Sequence, residues 1–149
     1  MATFVLRKAV ASDKDAIASI WHESASLPGV GPPTMPSPAD LRRRVEDELA
    51  SWSVTLAVRD AEVLGFLALK PEAAILAELF VRPGALGAGI GSALLAHAKA
   101  EMPEGFSLFT SSSNTRARNF YEKAGLVILR HDTHPRSGHP VTYYGWRPA

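Results

Sequence analysis

The chain has no cysteine among its 149 residues. Disulfide staples of the kind that hold small secreted domains together are therefore excluded. So is any acyl transfer that passes through a cysteinyl thioester on the protein. Long apolar runs are missing too. The longest without glycine is Ala73–Ala77, far short of the ~20 residues a spanning helix needs. No excess of charge of either sign is present: formal net charge is +1, and the one basic cluster, Arg42-Arg43-Arg44, is followed by Glu46, Asp47 and Glu48. That triplet reads as a solvated helix face, and no nucleic-acid partner is expected. Met1 to Val10 carries Arg7 and Lys8 in a strand-like pattern instead of a signal's apolar core, so a cytoplasmic protein without membrane contact is the expectation. The composition, 46% hydrophobic and 21% charged, suits a globular chain. The length fits one domain over residues 1–149, and neither repeats nor linkers interrupt it.

What the chain does have is a glycine-dense turn. Leu79-Phe80-Val81 leads through Arg82-Pro83-Gly84-Ala85 into Leu86-Gly87-Ala88-Gly89-Ile90-Gly91-Ser92, and an amphipathic helical pattern follows at once. A strand that turns on glycines into a helix aims a row of backbone N–H groups at one point, where the helix dipole also favours negative charge. Such a turn suits a phosphate held against bare backbone. Two familiar phosphate loops fail on spacing. A Walker loop requires a Gly-Lys pair, which the chain lacks. A dinucleotide fingerprint begun at Gly87 and Gly89 requires glycine or alanine where Ser92 stands. Its acidic ribose ligand, due about 20 residues on, is also missing from Phe106 to Thr110.

The turn instead resembles the acyl-CoA loop of the GNAT N-acetyltransferases, [QR]-x-x-G-x-[GA], laid on Leu86-Gly87-Ala88-Gly89-Ile90-Gly91. The glycines match. Leu86 replaces the usual Arg or Gln, and Ala88 stands where a basic residue is usual, so the loop offers amides without side-chain charge. A second segment, Asn114-Thr115-Arg116-Ala117-Arg118-Asn119-Phe120-Tyr121-Glu122-Lys123-Ala124-Gly125-Leu126, is similar to the family's N-x-x-A-x-x-[FL]-Y-x-x-x-G-[FL] stretch. The likeness extends from about Val5 to Trp146, although only these two segments are specific. It implies an N-acetyltransferase that moves an acetyl group directly from acetyl-CoA to an amine in a ternary complex. It implies that Leu79, Phe80 and Val81 pair with the pantetheine arm and supply an oxyanion donor. The pyrophosphate then falls to Leu86, Gly87, Ala88, Gly89, Gly91 and Ser92. Asn114 touches pantetheine, and Tyr121 protonates the departing thiolate. A homodimer is a further expectation, because relatives often pair through sheet edges or C-terminal strands.

Periodicity lays out the rest. Phe4–Ala9 reads as a strand, and Ser12 with Asp15 as a capping box before Ala16, Ile17, Ile20 and Trp21 at helical spacing. Leu27 to Pro36 is a loop. Ser37-Pro38-Ala39-Asp40 opens a second helix whose buried stripe is Leu41, Val45 and Leu49. Trp52–Arg59 and Val63–Lys70 form a hairpin about Asp60-Ala61-Glu62, and Ala74–Val81 is the strand before the glycine turn. Ile90, Leu94, Leu95 and Ala98 mark a helix ending by Pro103. Strand Phe106–Thr110, helix Asn114–Ala124 with Gly125 as terminator, and strands Leu126–His131 and Val141–Trp146 complete the chain. The fold class is α/β (α+β mixed): one GNAT-like domain with a central, mostly antiparallel mixed sheet and helices on both faces.

Thioester aminolysis needs a neutral amine, an oxyanion donor and an acid for the thiolate. Tyr121 serves as the acid, unless Phe120-Tyr121 is simply core packing. Asn114 also suits a helix N-cap. For the base, Glu78 is the one carboxylate in its strand. Strict alternation places it opposite the face shared by positions 75, 77, 79 and 81, so a water relay or an already neutral amine competes with it. His131, Asp132, His134 and His139 sit between the last two strands among Pro135, Ser137, Gly138 and Pro140, a spacing unlike a zinc site. No metal is expected, and contact with substrate or a second subunit is the better reading. His22 and Glu23 flank the Leu27–Pro36 loop as a further acceptor wall, and Trp21 belongs to the core. Two rival readings share the residues: an acyl-CoA-binding module without catalysis, and an unrelated α/β binding domain with a structural glycine turn.

Overall fold

The computed structural model describes residues 3–149; Met1 and Ala2, the start of the stretch examined for a signal, lie outside it. Seven strands form one sheet: β1 (Val5–Lys8), β2 (Ser53–Arg59), β3 (Glu62–Lys70), β4 (Ile75–Val81), β5 (Phe106–Ser111), β6 (Val127–Thr133) and β7 (Pro140–Trp146), in the order β1-β2-β3-β4-β5-β7-β6. Every neighbouring pair is antiparallel except β4 and β5. Four α-helices cover it: α1 (Lys14–Ala25), α2 (Pro38–Glu48), α3 (Ile90–Glu101) and α4 (Thr115–Lys123). Among the described residues no helix is long and apolar enough to cross a membrane.

Each face of the sheet has its own core. On one side Ile17, Ile20, Trp21, Leu41 and Val45 from α1 and α2 pack on Leu56, Phe66 and Ala68. On the other Ile90, Leu94, Leu95, Ala98 and Tyr121 from α3 and α4 pack on Leu67, Leu69, Leu76, Leu108 and Tyr144. The stripes at three- and four-residue spacing therefore face the sheet as helical periodicity requires. Ser37 caps α2 by accepting from the Asp40 N–H at 3.1 Å, with Pro38 in the first turn. The β2–β3 hairpin turns through Asp60 and Ala61, both at positive φ, which matches the right-handed twist of the flanking strands.

The start of α1 differs from the box read at Ser12 and Asp15. A 3₁₀ turn over Ala11–Asp13 precedes the helix, and buried Asp13 is the residue that organises it. Its carboxylate accepts from the Val10 N–H at 2.8 Å and from both Arg7 guanidinium nitrogens, at 2.9 and 3.0 Å. Asp15 points outward to Arg42 instead. A carboxylate locked by a guanidinium fork outcompetes a serine hydroxyl for this position. The Arg7 hydrogen bonds, helped by the Val10 amide, hold the Asp13 carboxyl below its ordinary range against the opposing effect of burial. A group whose pKa is lowered on folding contributes stability that is present above its unfolded pKa and is lost as pH falls through the folded one. Asp13→Asn is therefore expected to cost about 1.5–3 kcal/mol at pH 7, the range for hydrogen bonds to a charged group. Denaturant melts should show the deficit shrinking below about pH 4.

Candidate active site

The sheet splits between β4 and β5. Their pairing is confined to Ile75 opposite Ser107, with the Ser107 N–H donating to Ala74 C=O at 3.0 Å. Beyond that point β5 pairs along its whole length with β7, and β4 continues with β3. The Arg82 N–H donates to Leu64 C=O at 2.8 Å. Because antiparallel pairs alternate, Phe80 then exchanges its bonds with β3, while Leu79 and Val81 turn their backbone groups toward the split. The Val81 carbonyl meets the Ser24 hydroxyl of α1 at 3.0 Å. The N–H groups of Leu79 and Val81 face the opening. Of the three residues read as one strip, Phe80 thus has the other role: its ring packs against Trp21, 6.5 Å between centroids, and Phe66, 5.9 Å.

A β-bulge changes the parity expected of β4. Ala68 pairs with Glu78 and Leu69 with Leu76, so Ala77 is the extra residue. Positions 75, 77, 79 and 81 therefore do not share a face. Leu76, Leu79 and Val81 pack toward α3 and α4, whereas Ala77 and Phe80 pack toward α1 and α2. Glu78 lies directly opposite Ala68, which faces α1 and α2, and directly opposed residues share a face. The bulge moves Glu78 onto the side of Ala77, reversing the objection raised by strict alternation. Burial pushes its carboxyl up to about 8, with the nearby charges of Arg44, Glu48 and Lys70 as lesser influences.

Across the split stands Tyr121. It is 6% exposed, edge-on to Phe120 at 5.3 Å and beside Tyr144 at 5.9 Å. The Tyr144 hydroxyl is fully engaged, donating to Glu122 Oε2 at 2.6 Å and accepting from Arg118 Nε at 3.1 Å. The Tyr121 hydroxyl has no such partner among the described residues. Burial raises its pKa above the ordinary phenol value, and the charge of Glu78 raises it further. Tyr121 thus lies in the α3/α4 core and Glu78 on the other face of the sheet, near enough for the Glu78 charge to act on the phenol.

The glycine turn closes one end of the split. Pro83–Ala85 is a 3₁₀ turn, and Gly87 and Gly89 both adopt φ above +80°, a region that L-residues enter at a cost. Gly91, by contrast, is helical, and a β-carbon there would meet Phe120 Cζ at 3.5 Å and Val81 Cγ2 at 3.9 Å. It brings the first turn of α3 against both β4 and α4. The amides of Gly89, Ile90, Gly91 and Ser92 begin α3 and lack intrahelical acceptors. Leu86, Gly87, Ala88 and Ser92 are exposed around them. Asn114 caps α4, its carbonyl oxygen accepting from the Ala117 N–H at 3.2 Å, and its amide reaches Thr110 Oγ1 at 3.5 Å.

The region between the last two strands and the loop after α1 is built from elements distant in sequence. Strand β6 takes in His131, as the run Leu126–His131 predicts, and continues through Asp132, which was expected in the loop; His131 Nδ1 bonds Thr142 Oγ1 at 3.0 Å. His134 and His139 stack at 5.1 Å, and His139 Nε2 lies 3.1 Å from Ser111 Oγ. Phe109, 45% exposed on the α1/α2 side of β5, meets His134 at 5.6 Å and Tyr143 at 5.3 Å. A cavity of ≈ 720 Å³ opens between the loop after α1 (Leu27, Gly29, Met35 among its walls) and Ser112, Ser113 and His139. Glu23 is drawn to Arg82 at 3.2 Å, and His22 lines a separate cavity with Asp15, Ser19 and Arg42. Periodicity could not single out Phe109 or Arg44, because an exposed aromatic and one arginine of three carry no spacing signal.

Comparison with known proteins identifies the family and the fold. The model of the acetyltransferase (GNAT) family matches residues 16–126. The chain is 31% identical over 128 residues to the peptidyl-lysine N-acetyltransferase YiaC of Escherichia coli, covering 84% of each. It is 35% identical over 91 residues to peptidyl-lysine N-acetyltransferase YjaB of Salmonella typhimurium; the match spans 60% of this chain and 61% of that protein. In fold it is similar to a GNAT-family protein of Desulfovibrio desulfuricans (TM-score 0.79, 21% identity, 99% and 100% of the two chains). It is likewise similar to yncA of Salmonella typhimurium, solved with its cofactor acetyl-CoA (TM-score 0.73, 15% identity, 98% and 94%). The match of 16–126 takes in α1, the split strand, the glycine turn and the Tyr121 helix, and on it the chain belongs to the GNAT acetyltransferase family.

Proposed function

We propose that the protein transfers an acetyl group from acetyl-CoA directly to an amine in a ternary complex formed at the split between β4 and β5. The observation that carries this reading is the parting of β4 from β5 after one pairing, which turns the backbone of Leu79 and the Val81 N–H toward the split, with Glu78 on the α1/α2 side and Tyr121 in the α3/α4 core. Pantetheine amides would pair with that edge as an added strand. The pyrophosphate would rest on the amides from Gly87 to Ser92 at the α3 N-terminus. Asn114, whose carbonyl oxygen is spent on its cap, would offer pantetheine its amide alone.

The chemistry follows from these positions. The acceptor nitrogen attacks the thioester carbonyl, and its carbon–oxygen electrons move onto an oxyanion met by an amide of Leu79 or Val81. Glu78, as carboxylate, takes the proton released by the nitrogen, directly or through one water. Collapse breaks the carbon–sulfur bond, and the leaving thiolate takes the Tyr121 proton. N-acetylated amine and free CoA result. No protein-bound acyl group is needed, in keeping with the missing cysteine. The names of the two curated relatives make peptidyl-lysine one acceptor class to test beside small amines.

A thermal melt with acetyl-CoA, run against an NAD control, tests the cofactor. Ligand at 100 times its Kd adds about 2.7 kcal/mol, a rise of roughly 5–10 °C for a domain of this size. Amine-dependent release of free thiol then tests transfer. A shift without thiol release under any amine would identify a binding module, and the absence of both would leave only the fold.

A further inference from the structure

We infer that the acceptor is a small amine bearing a carboxylate, and that Arg44 is the residue that anchors it. This rests on the transferase reading above and adds the substrate class. The arginine triplet reads in sequence as one solvated face, but the structure separates its members. Arg42 is paired with Asp15 and Glu46, and Arg43 with Asp40. Arg44 is half-buried and has no carboxylate within 4.0 Å among the described residues. Glu48, one turn further along α2, is instead within 3.7 Å of Lys70. A guanidinium taken partly out of water without an anion is an uncommon arrangement.

Its place decides what it is for. The Arg44 guanidinium lies over the Trp21 ring, 5.2 Å from the centroid, and Trp21 stacks on Phe80 of β4. The charge is thus held on the α1/α2 side of the split, the side to which the bulge brings Glu78. It is felt at Glu78 and at His134 across the groove. Glu78 is not paired with it, no carboxylate oxygen of that residue lying within 4.0 Å of the guanidinium. Behind the dominant effect of burial, His134 is influenced by His139 and Arg136 of its own segment and by Arg44 of α2, none of them acidic. Arg130 covers the Tyr143 ring at 3.8 Å, with Asp132 beside it at 3.4 Å. No Asp or Glu lines the ≈ 720 Å³ cavity next to this groove. A guanidinium fork with no carboxylate in contact among the described residues, beside a cavity lined by no acidic side chain, suits a carboxylate bound bidentately. It is unsuited to a lysine side chain approaching through cationic sequence.

The test is a set of matched acceptors: free amino acids, their C-terminal amides, and a lysine peptide blocked at both ends. Thiol release from acetyl-CoA is followed for the unaltered protein, Arg44→Gln and Arg44→Lys. The expected result is a preference of at least tenfold in kcat/KM for free acids over amides. Arg44→Gln should raise KM for the acids about tenfold or more and collapse the preference toward one, with Arg44→Lys restoring part of it. Equal use of acids and amides, preference for the blocked peptide, or an equal loss on both in Arg44→Gln would overturn the inference. If acetyl-CoA binds but no acceptor turns over, the transferase reading fails separately. Calorimetric titration of N-acetyl amino acids and their amides into the CoA-saturated protein then decides this one. Acid-selective binding lost in Arg44→Gln supports it, and binding without selection overturns it.

Discussion

Tyr121→Phe is expected to lower kcat by about 10²–10⁴-fold, the usual contribution of a positioned acid, while acetyl-CoA affinity changes less than about threefold. The physical basis is that the hydroxyl has no protein partner among the described residues, whereas its ring is packed between Phe120 and Tyr144. Removing the oxygen leaves the ring contacts and the split intact, so a loss in turnover reports chemistry and not packing. Because burial and the charge of Glu78 both raise the Tyr121 pKa, the phenol stays protonated through the working range. No falling limb from this residue should be seen below about pH 10. Single-turnover measurements with pre-bound acetyl-CoA would separate this from slow product release. Equal losses in kcat and in affinity would argue that Tyr121 holds the cofactor instead of serving as acid.

Glu78→Gln should show opposite effects on activity and stability. As carboxylate the residue is the proposed base, so its amide variant should lose about 10²–10⁴-fold in kcat. The unaltered protein should gain activity as pH rises through about 8, the value to which burial pushes Glu78, and the variant should lack that rise. For stability the sign runs the other way from Asp13. A carboxyl whose pKa is raised on folding favours the native state below its unfolded pKa, near 4.3. That advantage is lost as pH rises to about 8. A neutral amide escapes the cost, so Glu78→Gln should be the more stable protein at neutral and alkaline pH. Tenfold in proton affinity is worth about 1.4 kcal/mol, and partial solvation brings the expected gain to about 1–3 kcal/mol. Melts at pH 5 and pH 9 would show it growing with pH. A variant that is less stable at pH 9 and keeps its pH–rate profile would remove Glu78 from the mechanism.

Such a residue, unfavourable to the fold and retained in the cleft, is what a general base near neutrality requires. Its neighbours were not legible from spacing for a definite reason. Alternation along β4 is a local rule, and one inserted residue, Ala77, reverses it for everything before Glu78. Nothing in Ile75-Leu76-Ala77-Glu78 announces the insertion, because a bulge is decided by how β3 and β4 must twist to pack two separate cores. The same applies to Asp13, chosen over Ser12 by an arginine six residues earlier.

The sequence by itself determined the elements and the family. Glycines at positive φ, Pro38 behind Ser37, and apolar residues at helical or strand spacing act over a few residues, so their meaning survives without the rest of the chain. The GNAT likeness was legible for that reason, in two short segments that each fold as a unit. Only the tertiary structure decided that β4 and β5 part after a single pairing, that Glu78 shares a side with Ala77, and that Arg44, unlike Arg42 and Arg43, has no carboxylate within 4.0 Å among the described residues. Those outcomes depend on contacts between residues up to ~80 positions apart, such as Ser113 with Gly29. Packing at that range is set by the two cores closing on the sheet together, and no local pattern encodes it.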